Sequence, residues 1–233
     1  MREDFFETID HPSKAYWLGF LFADGNVSSL RKTGGYYVSL ELAELDKVSV
    51  VSFAVAIGAT QKVAISPPTG YGKQNRVRLV LGSKKMHSDL VALGCAPRKT
   101  FTAKLPALDD SMMPHFIRGY FDGDGCITRT NSGPKVDIVG NHAIINGIND
   151  WLCAKFAFPK RKVYQKNNGK NSYVVYSGKV WLNALYVLFY DNNPEEQPIY
   201  YMPRKRGRFH TELASIAHQS DRAPRGSYST CEV

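Results

Sequence analysis

One phrase, written twice, constrains this chain more than any other feature. Its first copy is Trp17-Leu18-Gly19-Phe20-Leu21-Phe22-Ala23-Asp24-Gly25, and its second is Ile117-Arg118-Gly119-Tyr120-Phe121-Asp122-Gly123-Asp124-Gly125. Each is a largely apolar, helix-like run with a glycine near its start and Asp-Gly at its end. The two Asp-Gly ends stand 100 residues apart. Internal repetition decides architecture before anything else does. An apolar helix that ends by presenting one carboxylate, made twice, predicts two carboxylates brought to one place.

The first helix is expected from Lys14 to Phe22, with Ser13 as its N-cap. Apolar or small residues cover all its faces, so it should be buried on all sides. A glycine inside such a helix costs about 1 kcal/mol against alanine. Close approach of a second helix would offset that cost. Gly19 and Gly119 are therefore the expected contact between the two motif helices.

The remaining pattern also repeats. After Gly25 come strand-like runs at 26–30 and 36–42 with a turn at Gly34-Gly35, and then a helix at 47–57 capped by Asp46. Val48, Val51, Phe53, Val55 and Ala56 are available there for a core. Strands at 62–66 and 76–81 and a helix at 84–93 complete the first half; Arg76 and Arg78 alternate with apolar residues, as a strand with one wet, basic face requires. The second half reads as a helix at 113–121, strands at 126–130 and 135–139 around a Gly133-Pro134 turn, a helix at 142–156, strands at 161–165 and 172–176, and a helix at 179–190. Residues 1–105 and 106–212 thus form two half-domains of the same order, helix–strand–strand–helix–strand–strand–helix. Residues 213–233 are expected as one short helix and a basic, frayed tail.

Charge narrows the partners. With 30 Lys and Arg against 21 Asp and Glu, the net charge is +9, which favours a polyanion such as nucleic acid and equally suits a merely soluble basic protein. Cys95, Cys126, Cys153 and Cys231 form no C-x-x-C pair, so zinc-finger spacing is absent and reduced packing thiols in a cytosolic compartment are expected. No secretory leader or membrane-spanning run is visible.

At these residues the sequence resembles the LAGLIDADG homing endonucleases of the single-chain, double-motif type. The second copy follows the family phrase closely; the first has Phe22 where the family often has Asp. The resemblance extends over about residues 8 to 210 through the element order. It implies an α+β fold of two αββαββα half-domains related by a pseudo-twofold axis, the motif helices at the interface and a curved antiparallel sheet from each half on double-stranded DNA. It also implies Mg2+ (or Mn2+) bound by Asp24 and Asp124 with the adjoining Gly25 and Gly125. Carboxylate oxygens suit such hard cations, which lower the pKa of a bound water and neutralise the phosphate. The alternative for either Asp-Gly is an ordinary helix-ending turn.

The resemblance further implies a basic residue near each scissile phosphate and a polar residue that positions water. Gly82-Ser83-Lys84 parallels Ser177-Gly178-Lys179, making Lys84 (or Lys85) and Lys179 the basic candidates against a solvated first-turn lysine. Glu44 and Asn141 stand at the strand ends where the polar residue is expected, or else cap the following helices. Asp122 is expected to cap or hydrogen-bond locally. DNA contacts are expected from Arg31, Lys32, Lys62, Lys73, Arg76, Arg78, Arg129, Lys135, Arg161, Lys162, Lys166 and Lys170. The cluster Arg204-Lys205-Arg206-Gly207-Arg208 binds phosphate or belongs to the tail.

The function expected is a monomeric, metal-dependent, site-specific endonuclease. As the family does, it would cut both strands of a long, asymmetric site across the minor groove, leaving short 3′ overhangs. The alternative is a non-catalytic nucleic-acid binder on the same fold, such as an intron RNA maturase or a DNA-binding regulator. Paired buried acids favour the nuclease. An intein is disfavoured by the absence of a His-Asn terminus. The location expected is cytoplasmic or nucleoid-associated in a bacterium or phage, or organellar.

Overall fold

The computed structural model describes residues 1–28, 35–68, 74–166, 169, 171–191 and 200–222. Arg31, Lys32, Lys73, Lys170, Gly34, most of the 191–198 loop and the chain beyond 222 lie outside the described residues.

The first motif helix, α1 (Pro12–Ala23), begins earlier than expected. Pro12 fits the first turn, where its missing N–H costs nothing. His11 rather than Ser13 is the cap, its Nδ1 accepting from Ser13 N at 3.2 Å. The chain continues through β1 (Gly25–Ser28), β2 (Tyr37–Ala43), a 3-10 turn (Glu44–Asp46), α2 (Lys47–Ala56), β3 (Ala64–Ser66), β4 (Arg76–Gly82), α3 (Lys84–Ala92) and the short α4 (Lys99–Thr102). The second half follows with α5 (Met113–Asp124), β5 (Gly125–Thr130), β6 (Gly133–Gly140), α6 (His142–Phe156), β7 (Val163–Gln165), β8 (Ser172–Ser177) and α7 (Lys179–Tyr186). A π-helical turn (Val187–Asp191) and the long α8 (Pro203–Arg222) end it. The two antiparallel sheets have the same order, β1-β2-β4-β3 and β5-β6-β8-β7.

The α1–α5 pair is the most extensive contact between described elements. Its closeness comes from the two glycines. A Cβ built on Gly19 would overlap Phe116 O and stand 2.9 Å from Tyr120 N; one on Gly119 would overlap Tyr16 O and stand 2.9 Å from Phe20 N. Only hydrogen fits at either place, and the contact is reciprocal, as a pseudo-twofold axis requires. From this seam Trp17, Phe20, Leu21, Phe116 and Phe121 extend a single core into both halves. Each sheet buries alternate residues against it: Val38, Leu40 and Leu42 on β2, Val136 and Ile138 on β6.

Several local expectations are corrected. In α2 the buried face is Val50, Phe53, Ala54 and Ala56, while Val48, Val51 and Val55 are exposed, Val55 by 59%. Nearly every position of that run is apolar or small, so periodicity could not say which face packs. Asp46 precedes α2 but its side chain makes no capping bond. The second hairpin turns at residues 131–132, and Gly133 and Pro134 already belong to β6. The basic cluster 204–208 lies inside α8, which continues past 212 to Arg222, and the tail expected beyond it lies outside the described residues. Glu212, almost fully buried, holds Arg208 at 2.8 Å and Arg129 at 2.5 Å, which fixes that helix to the second half. Cys95 and Cys153 are buried, but Cys126 is exposed on β5 and is no packing residue. Among the described residues no helix is long and apolar enough to cross a membrane.

Candidate active site

Asp24 and Asp124 end the two motif helices side by side. Asp24 is the C-cap of α1, its N–H donating to Phe20 O at 2.9 Å, and Asp124 is the last residue of α5. The helices stay close to their ends because Ala23 fills the space beside Gly123. A Cβ on Gly123 would overlap Ala23 and stand 3.2 Å from Asp24 Oδ2. Both carboxyls reach solvent at the surface yet are crowded by protein below. That crowding shifts their titration. Burial pushes Asp24 up, with Lys205 and Lys99 opposing and Asp46 adding to the rise. Asp124 is pushed up to about 6, by burial first and then by the charge of Asp24, against Lys205, Lys99 and Lys166.

The cations beside these acids are Lys99 and Lys205, neither of them anticipated from the sequence. Lys205 donates to Phe121 O at 2.8 Å, Gly123 O at 3.1 Å and Gly125 O at 2.6 Å. Lys99 donates to Gly25 O. A helix leaves its last carbonyls without partners and carries partial negative charge there, so an ammonium at each end is doubly favourable. Gly25 and Gly125, expected as metal ligands, offer their carbonyls to these lysines. A signal for the pair was present: Pro97-Arg98-Lys99 and Pro203-Arg204-Lys205 are the same tripeptide, once after each half-domain.

The lysines expected in this role are elsewhere. Lys84 and Lys179 are exposed first-turn residues, Lys84 lying 5.9 Å over the Tyr36 ring. Helix N-termini repel cations, so these side chains turn to water. Lys85 pairs with Asp89 at 2.9 Å and Glu7 at 3.2 Å. Glu44 follows β2 directly, as Asn141 follows β6, and accepts from Asn75 Nδ2 at 2.9 Å; a 3-10 turn separates it from α2, so Asp46 is the residue immediately before that helix, as Asn141 is before α6.

Asn141 and Asp46 brace one half against the other. Asn141 Oδ1 caps α6 by accepting from Ala143 N at 2.9 Å and Ile144 N at 3.1 Å, and its Nδ2 donates to Ala103 O at 2.9 Å, just past α4. Asp46 takes two bonds from Arg204, Nε at 3.0 Å and Nη2 at 2.8 Å. Each brace thus runs from one half to the segment carrying the other half's Pro-Arg-Lys. Asn141 is a cap and a strut: its amide oxygen is taken up by α6, and one of its two amide protons is committed to Ala103 O. It also helps to line a cavity of about 180 Å³ with Asp124, Lys99, Tyr120 and Asn171.

Asp122 is corrected as well. It bonds to no neighbour in sequence but accepts from Tyr16 OH at 2.9 Å, Tyr190 OH at 3.0 Å and Met202 N at 2.7 Å.

The outer faces of the two sheets carry most of the described basic candidates. Arg76 and Arg78 stand on β4 beside Glu41, at 2.6 and 3.7 Å. Lys62 is exposed before β3. Lys135 pairs with Asp137 at 3.2 Å. Near it Arg161, Lys162, Tyr164 and Tyr173 line a recess of about 480 Å³, with the two tyrosine rings stacked at 5.3 Å. Lys166 is close enough to Asp124 to lower its pKa. Arg129 departs from the expectation: its register with Pro134 puts it on the helix side of β5, where Glu212 holds it.

Among the described residues no group of three or more His, Cys, Asp or Glu could hold a metal. The donor set at the helix ends is two carboxylates. That set fits a hard divalent cation that keeps several waters and shares phosphate oxygens. It also fits electrostatically, since each acid is held in an environment that disfavours its charge.

Comparison with known proteins supports the fold. No family model matches the chain. An uncharacterized protein of Methanocaldococcus jannaschii is 25% identical over 131 residues, 54% of this chain and 44% of that protein. The chain thus spans less than half the length of the curated relative it matches. Among solved structures, the I-LtrWI LAGLIDADG homing endonuclease bound to target DNA superposes with a TM-score of 0.60 at 10% identity, over 92% of each chain. The LAGLIDADG meganuclease I-AabMI bound to uncleaved DNA gives 0.56 at 13% identity, over 91% of each chain. The meganuclease I-SmaMI bound to uncleaveable DNA gives 0.55 at 13% identity, again over 91% of each. The chain has the fold of the LAGLIDADG homing endonucleases.

Proposed function

We propose that this protein is a site-specific, double-strand DNA endonuclease that acts as a monomer with a divalent cation, Mg2+ or Mn2+. The observation that carries this reading is the convergence of Asp24 and Asp124, each beside a lysine-capped helix end, between two sheets whose outer faces bear Arg76, Arg78, Lys135, Arg161 and Lys162. A protein that only bound nucleic acid would gain nothing from two crowded acids whose pKa values are both raised by burial. A cation bound there supplies an ionised water and neutralises charge on the phosphate.

The chain's own groups divide the work. Asp24 and Asp124 hold the cations between the strands of a duplex. Lys99 and Lys205 place fixed positive charge beside the phosphates, in a setting where it needs no reorganisation during reaction. The ammonium of Lys205 keeps its three protons on the carbonyls of α5, so it acts through charge and through the position of that helix end. The basic outer faces carry the duplex, lysines following phosphates and arginines able to reach guanine edges.

The test is selection of cleaved sites from a randomised duplex library with Mg2+ present. Site-specific cutting of both strands, lost in Asp24→Asn or Asp124→Asn with binding retained, supports the proposal. Binding without cutting by the wild type identifies a non-catalytic nucleic-acid binder instead.

A further inference from the structure

The two copies of the motif exchange an apolar for a charged residue at two places, Leu18 for Arg118 and Phe22 for Asp122, and the second exchange reaches a lysine. In the first copy Phe22 is apolar and packs edge-on against Phe116, with ring centroids 5.1 Å apart. In the second, Asp122 is fully buried at the same place. Burying a carboxylate is costly unless donors surround it. Asp122 has three, from three separate segments: Tyr16 of α1, Tyr190 at the end of the π-helical turn, and the backbone N–H of Met202.

The Met202 bond has a geometric consequence. The carbonyl of Met202 accepts from Lys205 N at 3.0 Å and from Arg206 N at 3.1 Å, so Met202 starts α8. Asp122 therefore fixes the residue from which the helix bearing Lys205 departs. One turn later Lys205 returns to α5, to the carbonyls of Phe121, Gly123 and Gly125 that flank Asp122 and Asp124. The path closes on itself: α5, Asp122, Met202, Lys205, α5. The bond from Tyr190 brings a further described residue onto the same carboxylate. No such carboxylate stands in the first copy, where Lys99 follows a turn through Arg98 in the left-handed region at φ 63°.

We infer that Asp122 is a positioning residue for Lys205 and, through it, sets the rate of DNA cleavage at the paired acids. The cleavage part rests on the proposed nuclease function; the positioning part does not.

The experiment has two arms. In the first, lysines of the folded protein are acetylated with a water-soluble reagent, and peptides are counted by mass spectrometry. Lys99 and Lys205 are protected in the wild type. Asp122→Ser leaves room for water to meet the three donors but cannot reach Met202. It exposes Lys205 to labelling about tenfold faster, the factor expected for losing one buried hydrogen bond, with Lys99 unchanged. Asp122→Asn keeps an acceptor for Met202 N–H and restores protection. Should the serine variant fail to fold, amide exchange in the wild type decides: slow exchange at Met202 supports the tether and fast exchange overturns it. Equal labelling of Lys205 in the serine variant and the wild type also overturns it.

In the second arm, cleavage of a labelled duplex is timed. Asp122→Ser slows cleavage about tenfold and leaves duplex binding unchanged, while Asp122→Asn cuts near the wild-type rate. An unchanged rate in the serine variant overturns the part of the role that concerns cleavage. A wild type that cuts no duplex in any selection counts against the nuclease reading, while labelling and exchange still decide the position of Lys205.

Discussion

Arg204 of the second half holds Asp46 of the first by two hydrogen bonds, 3.0 and 2.8 Å long. Asp46 is nearly buried and raises the pKa of Asp24, so the bond also settles a third carboxylate beside the helix ends. Arg204→Gln leaves that carboxylate without its cation. Because Arg204 is 55% exposed, water replaces part of the interaction, and the expected loss is about 1 kcal/mol by urea unfolding. Asp46→Asn in the same background recovers most of it. A stability unchanged by Arg204→Gln would remove the brace from the account.

Asp24→Asn and Asp124→Asn are expected to abolish cutting and to stabilise the metal-free protein. The sign follows from linkage. The folded pKa of Asp124 is raised from 3.8 to about 6, so the folded state holds that proton more tightly than the unfolded chain. The resulting stability is present below pH 3.8 and is lost as pH rises through about 6. Asn at 124 removes the loss, a gain of about 1 kcal/mol above that window after allowance for solvent. Unfolding in chelator at pH 4 and pH 7.5 tests it: a variant no more stable than wild type at the higher pH contradicts the electrostatics.

Lys99→Met and Lys205→Met are each expected to lower double-strand cleavage about a hundredfold, since each removes fixed charge beside the paired acids. Lys84→Ala and Lys179→Ala should cut at the wild-type rate. Time courses on supercoiled substrate separate nicked from linear product. Loss of activity at Lys84 or Lys179 would return them to the site.

Gly19→Ala and Gly119→Ala should each cost about 3 kcal/mol or more, because a methyl group there meets backbone rather than a side chain that can move aside. Gly207→Ala, with nothing near its Cβ position, should be neutral or slightly stabilising in α8. Thermal midpoints of the three variants check the contrast.

The sequence was most informative where one residue type had no local explanation. A glycine inside a helix apolar on every face demanded a close neighbour, and Gly19 and Gly119 supply it. Asp24 and Asp124 were legible because each ends such a helix. Lys99 and Lys205 were not found because their ammonium groups act on residues 74 and 80 positions away, a distance that no local periodicity reports. The repeated Pro-Arg-Lys was the available clue. Glu44 and Asn141 were legible as the residues that follow β2 and β6, but the 3-10 turn that sets Asp46 between Glu44 and α2 was not. Asp122 was read as local because its partners come from segments far away in sequence.

Lys205 lies in α8, close to the end of the described chain, whereas Lys99 and both motif aspartates come earlier. Synthesis proceeds from the N-terminus, and early segments fold before late ones are made. A nascent or truncated chain that stops before α8 therefore holds both acids but only one of the two lysines. It also lacks the Arg204 brace and leaves Asp122 without the Met202 amide. The charge that Lys205 adds beside the paired acids is therefore in place only once α8 has been made.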